Sequence, residues 1–263
     1  ILGLYFPTYL KKNSISDYVF TVVGKGDAKV ARMYEINNIE ALTQEEMDNV
    51  VRFSIFVGRK QTKVKILHYR AVSMHMGIID NLRNYKSLNF AEMLLYIVFQ
   101  LPFNTPQQLP HFRKNQNYVE QIFTERNLIP HKTVVLSPYS NSVPCINQTF
   151  WERLALNLKN NGFTVCTNSI GSSEPIIAST VPIYFSYENA KTFLEYAGYF
   201  IGVRSGLCDI ISSFKCKKII INQPNIRFGV GNVLEYFSLK DMRLDQHTTE
   251  LEYHEEYEER ILH

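Results

Sequence analysis

Short apolar runs alternate with segments of helical spacing along most of the chain. Tyr18-Val19-Phe20-Thr21-Val22-Val23 is a β-rich run stopped by Gly24-Lys25-Gly26-Asp27, and a short helix is expected over 28–34. Residues 38–42 read as a strand. Thr43, with Glu46 three positions on, forms a capping box for a helix to about residue 53, with Met47, Val50 and Val51 on its inner face. Val64-Lys65-Ile66-Leu67-His68 is a further strand, and Asn89 caps a helix over 90–99. Such alternation of strand and helix implies a parallel sheet. Residues 101–110 carry Pro102, Pro106 and Pro110 and read as a loop suited to lining a cleft. A helix over 115–127, with Tyr118, Ile122 and Phe123 as its apolar face, ends at Pro130, and a domain boundary is expected near residue 128.

The second half is more legible. Thr133-Val134-Val135-Leu136 is a β-branched, apolar run of the kind found in central parallel strands. The polar loop 137–142 follows. A helix opened by Asn147 or Thr149 then places Phe150, Leu154 and Leu158 on one face. Strands are expected at 163–167, 181–185, 199–203 and 218–222, with helices at 188–196 and 207–214. Together they make a complete Rossmann-like half. The glutamate-rich tail, 251–262, reads as a solvated amphipathic helix.

Composition adds limits. The 263 residues suffice for one large domain or two ordinary ones, and 45% hydrophobic with 20% charged residues is normal globular usage. A net charge of +3, with basic and acidic residues interspersed, does not point to a nucleic-acid partner. The four cysteines, Cys145, Cys166, Cys208 and Cys216, fit neither zinc nor a disulfide framework and read as reduced thiols of a cytoplasmic protein. No apolar run approaches the about 20 residues of a membrane span. The chain opens on Ile1 without Met, so residues missing at one or both ends are expected, a first strand and its loop among them.

The most informative segment is Phe200-Ile201-Gly202-Val203-Arg204-Ser205-Gly206-Leu207-Cys208-Asp209. A buried strand runs through Arg204-Ser205-Gly206 straight into a helix. Ligands of open parallel sheets bind beyond the carboxyl ends of the strands, where helix N-termini favour anions. Ser205 supplies a hydroxyl, Gly206 permits close approach of a phosphate, and Arg204 has the planar fork that neutralises a diphosphate. The plainer alternative is an ordinary turn in which Arg204 pairs with Asp209 or another carboxylate. Gly24-x-Gly26 is neither a dinucleotide fingerprint nor a phosphate-binding P-loop.

On these motifs, residues 133–222 resemble the donor-binding domain of GT-B glycosyltransferases, most of all the heptosyltransferase family. The shared pattern runs through Ser186, Ala197, Ile201-Gly202, Ser205-Gly206 and Ser212-Ser213. The Arg-Ser-Gly-Leu-Cys-Asp variant also resembles α-fucosyltransferase-like proteins. The family usually has Asp where Arg204 stands and His where Asp209 stands, which counts against a heptose donor.

The resemblance implies two Rossmann-like α/β domains with parallel sheets facing a cleft. Residues 1–128 would form the acceptor side and 129–263 the nucleotide-sugar side. Ser205, Gly206 and Leu207 would hold the donor diphosphate, with Arg204 supplying charge and Cys208 also on the donor side, and Ser137, Ser140 and Asn141 would face the same cleft; the loop 137–142 can equally be a self-bonded turn.

Asp27 and His68, both at strand ends, are the expected catalytic bases. Their plainer readings are a turn aspartate and a hydrogen-bonded strand-end histidine. The sequence contains no Asp-x-Asp, so no metal and no cofactor beyond the nucleotide-diphosphate sugar are expected. The implied activity is metal-independent, inverting sugar transfer to a hydroxyl of a bacterial cell-envelope polysaccharide or glycolipid, in the cytoplasm or peripherally at the inner face of the membrane. The alternatives are an inactive GT-B protein that binds sugar nucleotides or supports a partner, and a sugar-nucleotide epimerase.

Overall fold

The computed structural model describes residues 2–57, 88–141, 143–171, 173–224 and 233–259. The chain forms two compact units, Ile1–His111 and Phe112–His263. The division falls upstream of residue 128 because the helix Gln116–Glu125 packs with the second unit: Phe123 lies 5.3 Å from the Phe193 ring and 4.8 Å from that of Tyr196.

In the first unit α1 (Phe6–Lys12) leads to β1 (Phe20–Val23), α2 (Gly24–Arg32), β2 (Ile39–Leu42) and α3 (Gln44–Val57). β1 and β2 pair in parallel from Phe20↔Ile39 to Val23↔Leu42. Phe6 anchors α1 with its ring 4.7 Å from Phe20 and 6.3 Å from Phe99. The helix expected over 28–34 starts earlier. Gly24, at φ +75, turns the chain directly out of β1, so Lys25, Gly26 and Asp27 form the first turn of α2.

The capping box of α3 is present in both directions: Thr43 N–H donates to Glu46 Oε2 at 2.8 Å and Glu46 N–H to Thr43 Oγ1 at 3.2 Å. Met47 is buried on its inner face, whereas Val50 is exposed. Asn89 and Glu92 make a second box for α4 (Phe90–Met93), which runs on as a π-helical turn, Leu94–Val98. The expected strand 64–68 lies outside the described residues. The proline segment 101–110 is irregular, as expected, and is tied to its own unit through Gln108 N–H to Leu4 O at 2.9 Å and His111 N–H to Met33 O at 2.6 Å.

The second unit begins with α5 (Gln116–Glu125). Its buried face is Val119 and Phe123, while Tyr118 is exposed, contrary to the sequence expectation. There follow β3 (Thr133–Ser137), α6 (Gln148–Asn160), β4 (Thr164–Asn168), β5 (Val181–Ile183), α7 (Tyr187–Ala197), β6 (Gly198–Val203), α8 (Gly206–Ile211), β7 (Lys217–Asn222), α9 (Val233–Phe237) and β8 (Thr249–Glu252). The sheet is parallel throughout, in the order β5-β4-β3-β6-β7-β8. Numbered within the unit, that is the Rossmann order 3-2-1-4-5-6. Every residue of β3 is buried. Phe150, Trp151, Leu154 and Ala155 of α6 pack with Val134 and Leu136 in the core.

The tail is a correction. Instead of a helix over 251–262, Thr249–Glu252 forms the sixth strand, in register from Ile219↔Thr249 to Asn222↔Glu252, followed by the short 3-10 turn Glu255–Tyr257. The alternation Glu250-Leu251-Glu252-Tyr253 has the period of a strand. Tyr253 closes the core with its ring 5.6 Å from Phe150.

Gly198 turns α7 into β6 at φ +96, and a Cβ there would lie 3.0 Å from the Cα of His131. Gly198→Ala is expected to cost about 1–3 kcal/mol, from left-handed strain plus the contact, read as a lower urea midpoint.

Candidate functional site

β3 and β6 lie side by side at the centre of the sheet. From β3 the chain proceeds to β4 on one side; from β6 it proceeds to β7 on the other. The two connections diverge, and the carboxyl ends of β3 and β6 border the crevice that such a switch point creates. The register Ser137↔Gly202 brings the loop after β3 and the turn after β6 to this one edge. Gly202 forms its floor: a Cβ would lie 2.8 Å from the Phe200 ring and 3.0 Å from Ser137 O.

The loop after β3 starts buried at Ser137, is half-buried at Tyr139 and Ser140, and is exposed at Asn141. The Tyr139 hydroxyl donates to Pro175 O, pinning this loop to the β4–β5 connection. Burial, with Glu174 and Cys145 adding to it, raises the Tyr139 phenol pKa. On the other side Gln223, directly after β7, donates through Nε2 to Pro144 O at 3.3 Å.

The turn after β6 has two faces. Its open face is Ser205 and Gly206. Ser205 is extended at φ −150 and precedes α8 without a side-chain capping bond; its Oγ lies 3.7 Å from Cys208 Sγ. Gly206 is exposed and a Cβ there would meet no atom within 4 Å. Amides in the first turn of a helix have no carbonyl one turn back to bond. The inner face is closed: Leu207 and Cys208 are buried, with Cys208 Sγ donating to Val203 O at 3.3 Å. Burial raises the Cys208 thiol pKa, so Cys208 packs beneath the turn as a neutral thiol.

Arg204 takes the alternative course. Only 5% exposed, it donates from Nε to Phe237 O at 2.8 Å, from one terminal nitrogen to Ser205 O at 2.6 Å, and from the other to Asp209. Burial is the largest single influence and opposes its charge, but Asp209, Cys208 and Glu250 together outweigh it and leave the guanidinium pKa above its ordinary value. The expected phosphate clamp is an internal ion pair.

Of the expected bases, Asp27 lies on the surface in the first turn of α2, at the carboxyl end of β1, and partial desolvation raises its carboxyl pKa. His68 lies outside the described residues. Among the described residues no group of three or more His, Cys, Asp or Glu side chains is placed to hold a metal ion. None of the four cysteines is disulfide-bonded.

Sequence reasoning missed Phe237, Glu250, Asn222 and Gln223. Glu250 accepts from Ser238 Oγ at 2.7 Å, Leu239 N at 2.9 Å and Lys240 N at 3.3 Å, fixing the corner that follows Phe237. Asn222 ends β7 fully buried, and its Oδ1 has no hydrogen-bond partner among the described residues. Only the position of Asn222-Gln223 after Ile219-Ile220-Ile221 could have flagged the last two.

No protein-family model matches the chain, and no curated protein matches its sequence. Solved structures do match. The E. coli ADP-heptose LPS heptosyltransferase II superimposes with a TM-score of 0.58 at 10% identity, over 99% of this chain and 91% of that one. A glycosyl transferase family 9 structure from Veillonella parvula DSM 2008 gives 0.53 at 12% identity, over 98% of this chain and 83% of the other. At such identities the likeness is one of architecture: along nearly its whole length this chain has the α/β fold of GT-B glycosyltransferase structures.

Proposed function

We propose that the protein is a glycosyltransferase that moves a sugar from a nucleotide-diphosphate donor to a hydroxyl of a glycan or glycolipid acceptor. One observation carries this reading. The switch point of the parallel sheet coincides with an open, glycine-bearing turn, Ser205-Gly206, that faces solvent while everything behind it is packed. The likeness to glycosyltransferase structures supports it.

In this reading the donor diphosphate lies over the turn. The Gly206 and Leu207 amides and the Ser205 hydroxyl donate to it, and the polar loop Ser137 to Asn141 borders it. Such preorganised donors stabilise the charge that develops on the departing diphosphate. The acceptor oxygen attacks the anomeric carbon as the bond to the diphosphate breaks, and the acceptor proton passes to Asp27. Attack opposite the leaving group inverts the anomeric centre. The sequence has no Asp-x-Asp to hold a metal against the diphosphate, and the reading is of a metal-independent site. A lipid-borne acceptor of the bacterial envelope would place the protein at the cytoplasmic face of a membrane. Among the described residues no helix is long and apolar enough to cross one.

Two outcomes test this. Gly206 has neither a left-handed backbone nor a close neighbour, so the fold does not need a glycine there. Gly206→Val is expected to keep the wild-type melting temperature and lose at least about tenfold in affinity for ADP, GDP or UDP, read as a diminished ligand-induced thermal shift. Equal shifts in both proteins would remove the turn from the donor site; binding without transfer or hydrolysis would leave a sugar-nucleotide-binding protein.

The second concerns Asp27. Its folded-state pKa is raised above 3.8, so the native state favours the protonated acid, and that contribution to stability is lost as pH rises through the folded value. At pH ~7 the ionised group therefore opposes folding. Asp27→Asn is expected to be at least as stable as wild type in urea at that pH, with turnover reduced about 10²–10⁴-fold. Undiminished turnover would assign the base elsewhere.

A further inference from the structure

Arg204 is the only cation in the donor turn, and the structure spends it inward. Its three bonded groups belong to three different pieces of the chain: the Ser205 carbonyl in the turn, the Asp209 carboxylate in α8, and the Phe237 carbonyl at the end of α9. The Phe237 ring lies 6.0 Å from the guanidinium carbon, and Glu250 holds the backbone immediately after Phe237. Asp209 is itself largely buried, with a side-chain exposure of 13%. A planar fork meeting acceptors in three directions fixes the orientation of the peptide it touches, which a flexible ammonium cannot do.

We infer that Arg204 is a positioning residue for the donor diphosphate and not its ligand. Together with the Cys208 N–H, which donates to the same carbonyl at 3.0 Å, it holds Ser205 O inward, turns the opposite, amide-bearing face of the Ser205-Gly206 turn toward the crevice, and leaves phosphate recognition to uncharged donors. This rests on the donor reading above and reverses the role that residue type alone suggests. Asp209 is part of the device: without its carboxylate the guanidinium loses its charged partner and one of the three anchors that hold it against the turn.

The two roles predict opposite effects for Asp209→Asn. A phosphate-binding arginine would be released toward the ligand, and diphosphate affinity would hold or improve. A positioning arginine loses its anchor, and affinity falls. The experiment uses the full chain and calorimetry with ADP, GDP and UDP, continuing with the tightest binder and its monophosphate. Asp209→Asn and Arg204→Lys are each expected to weaken the diphosphate about tenfold while the monophosphate changes by no more than about twofold. General loosening of the fold would weaken both ligands alike.

In nitrogen-labelled wild-type protein, the Arg204 Nε–H resonance, bonded to Phe237 O, is expected to keep its position and slow exchange when the diphosphate is added. This measurement needs no variant to fold. Unchanged or tighter diphosphate binding in Asp209→Asn, recovery of binding by lysine at 204, an equal loss for both ligands, or a large shift of the Nε–H signal would each overturn the inference. If Gly206→Val loses the diphosphate and Asp209→Asn does not, the inference alone falls. If wild type binds none of the three diphosphates, the donor reading falls with it.

Discussion

The candidate binding edge of the second unit depends on the pairing of two strands that are not successive in the chain. Thr133–Ser137 and Gly198–Val203 lie in parallel at the middle of the sheet. They are brought together only after β4, β5 and two helices have been laid down between them. Their successors depart to opposite sides, so neither connection roofs the carboxyl ends. A close approach makes the pairing possible: Gly202 has no room for a side chain between the Phe200 ring and Ser137 O. The buried, β-branched character of β3 supplies the apolar area that holds this pair at the centre.

Burying a guanidinium beside that edge is costly, since desolvation of a charge amounts to several kcal/mol even after relaxation. Here it is offset by a carboxylate and two carbonyls. The result is a turn with a rigid rear and an unobstructed front. The charge of Arg204 and that of Asp209 cancel locally, and the surface left at Ser205 and Gly206 is polar without being cationic.

The outer flank of the sheet follows the same rule. Lys218 on β7 is buried and pairs with Asp245 at 3.0 Å. Burial alone would disfavour the Asp245 carboxylate, yet bonds from Thr248, the His247 amide and Lys218 hold its pKa below the ordinary value. Glu250 caps three donors, while Arg153 on α6 meets Glu258 and Glu259 beyond the last strand. Charges in a glutamate-rich tail thus serve as internal fasteners, and Tyr253 seals the core behind them.

Periodicity and caps were enough to determine the elements of the second unit from α5 to β7, because β-branched runs and the Asn147 boundary are local signals that a short window contains. They also determined that a strand ends in Arg204-Ser205-Gly206 and that a helix begins there. The sixth strand was hidden, since glutamates at alternate positions look solvated until β7 is present to pair with them. Likewise, which side of the turn Arg204 serves was undetermined, because its acceptors at Asp209 and Phe237 are supplied by packing, and a guanidinium alone suits a phosphate as well as a carboxylate. The strand order that makes β3 and β6 neighbours was also decided only in three dimensions: hydrogen bonds between strands join residues far apart in the chain, and no local preference records which partner will be nearest.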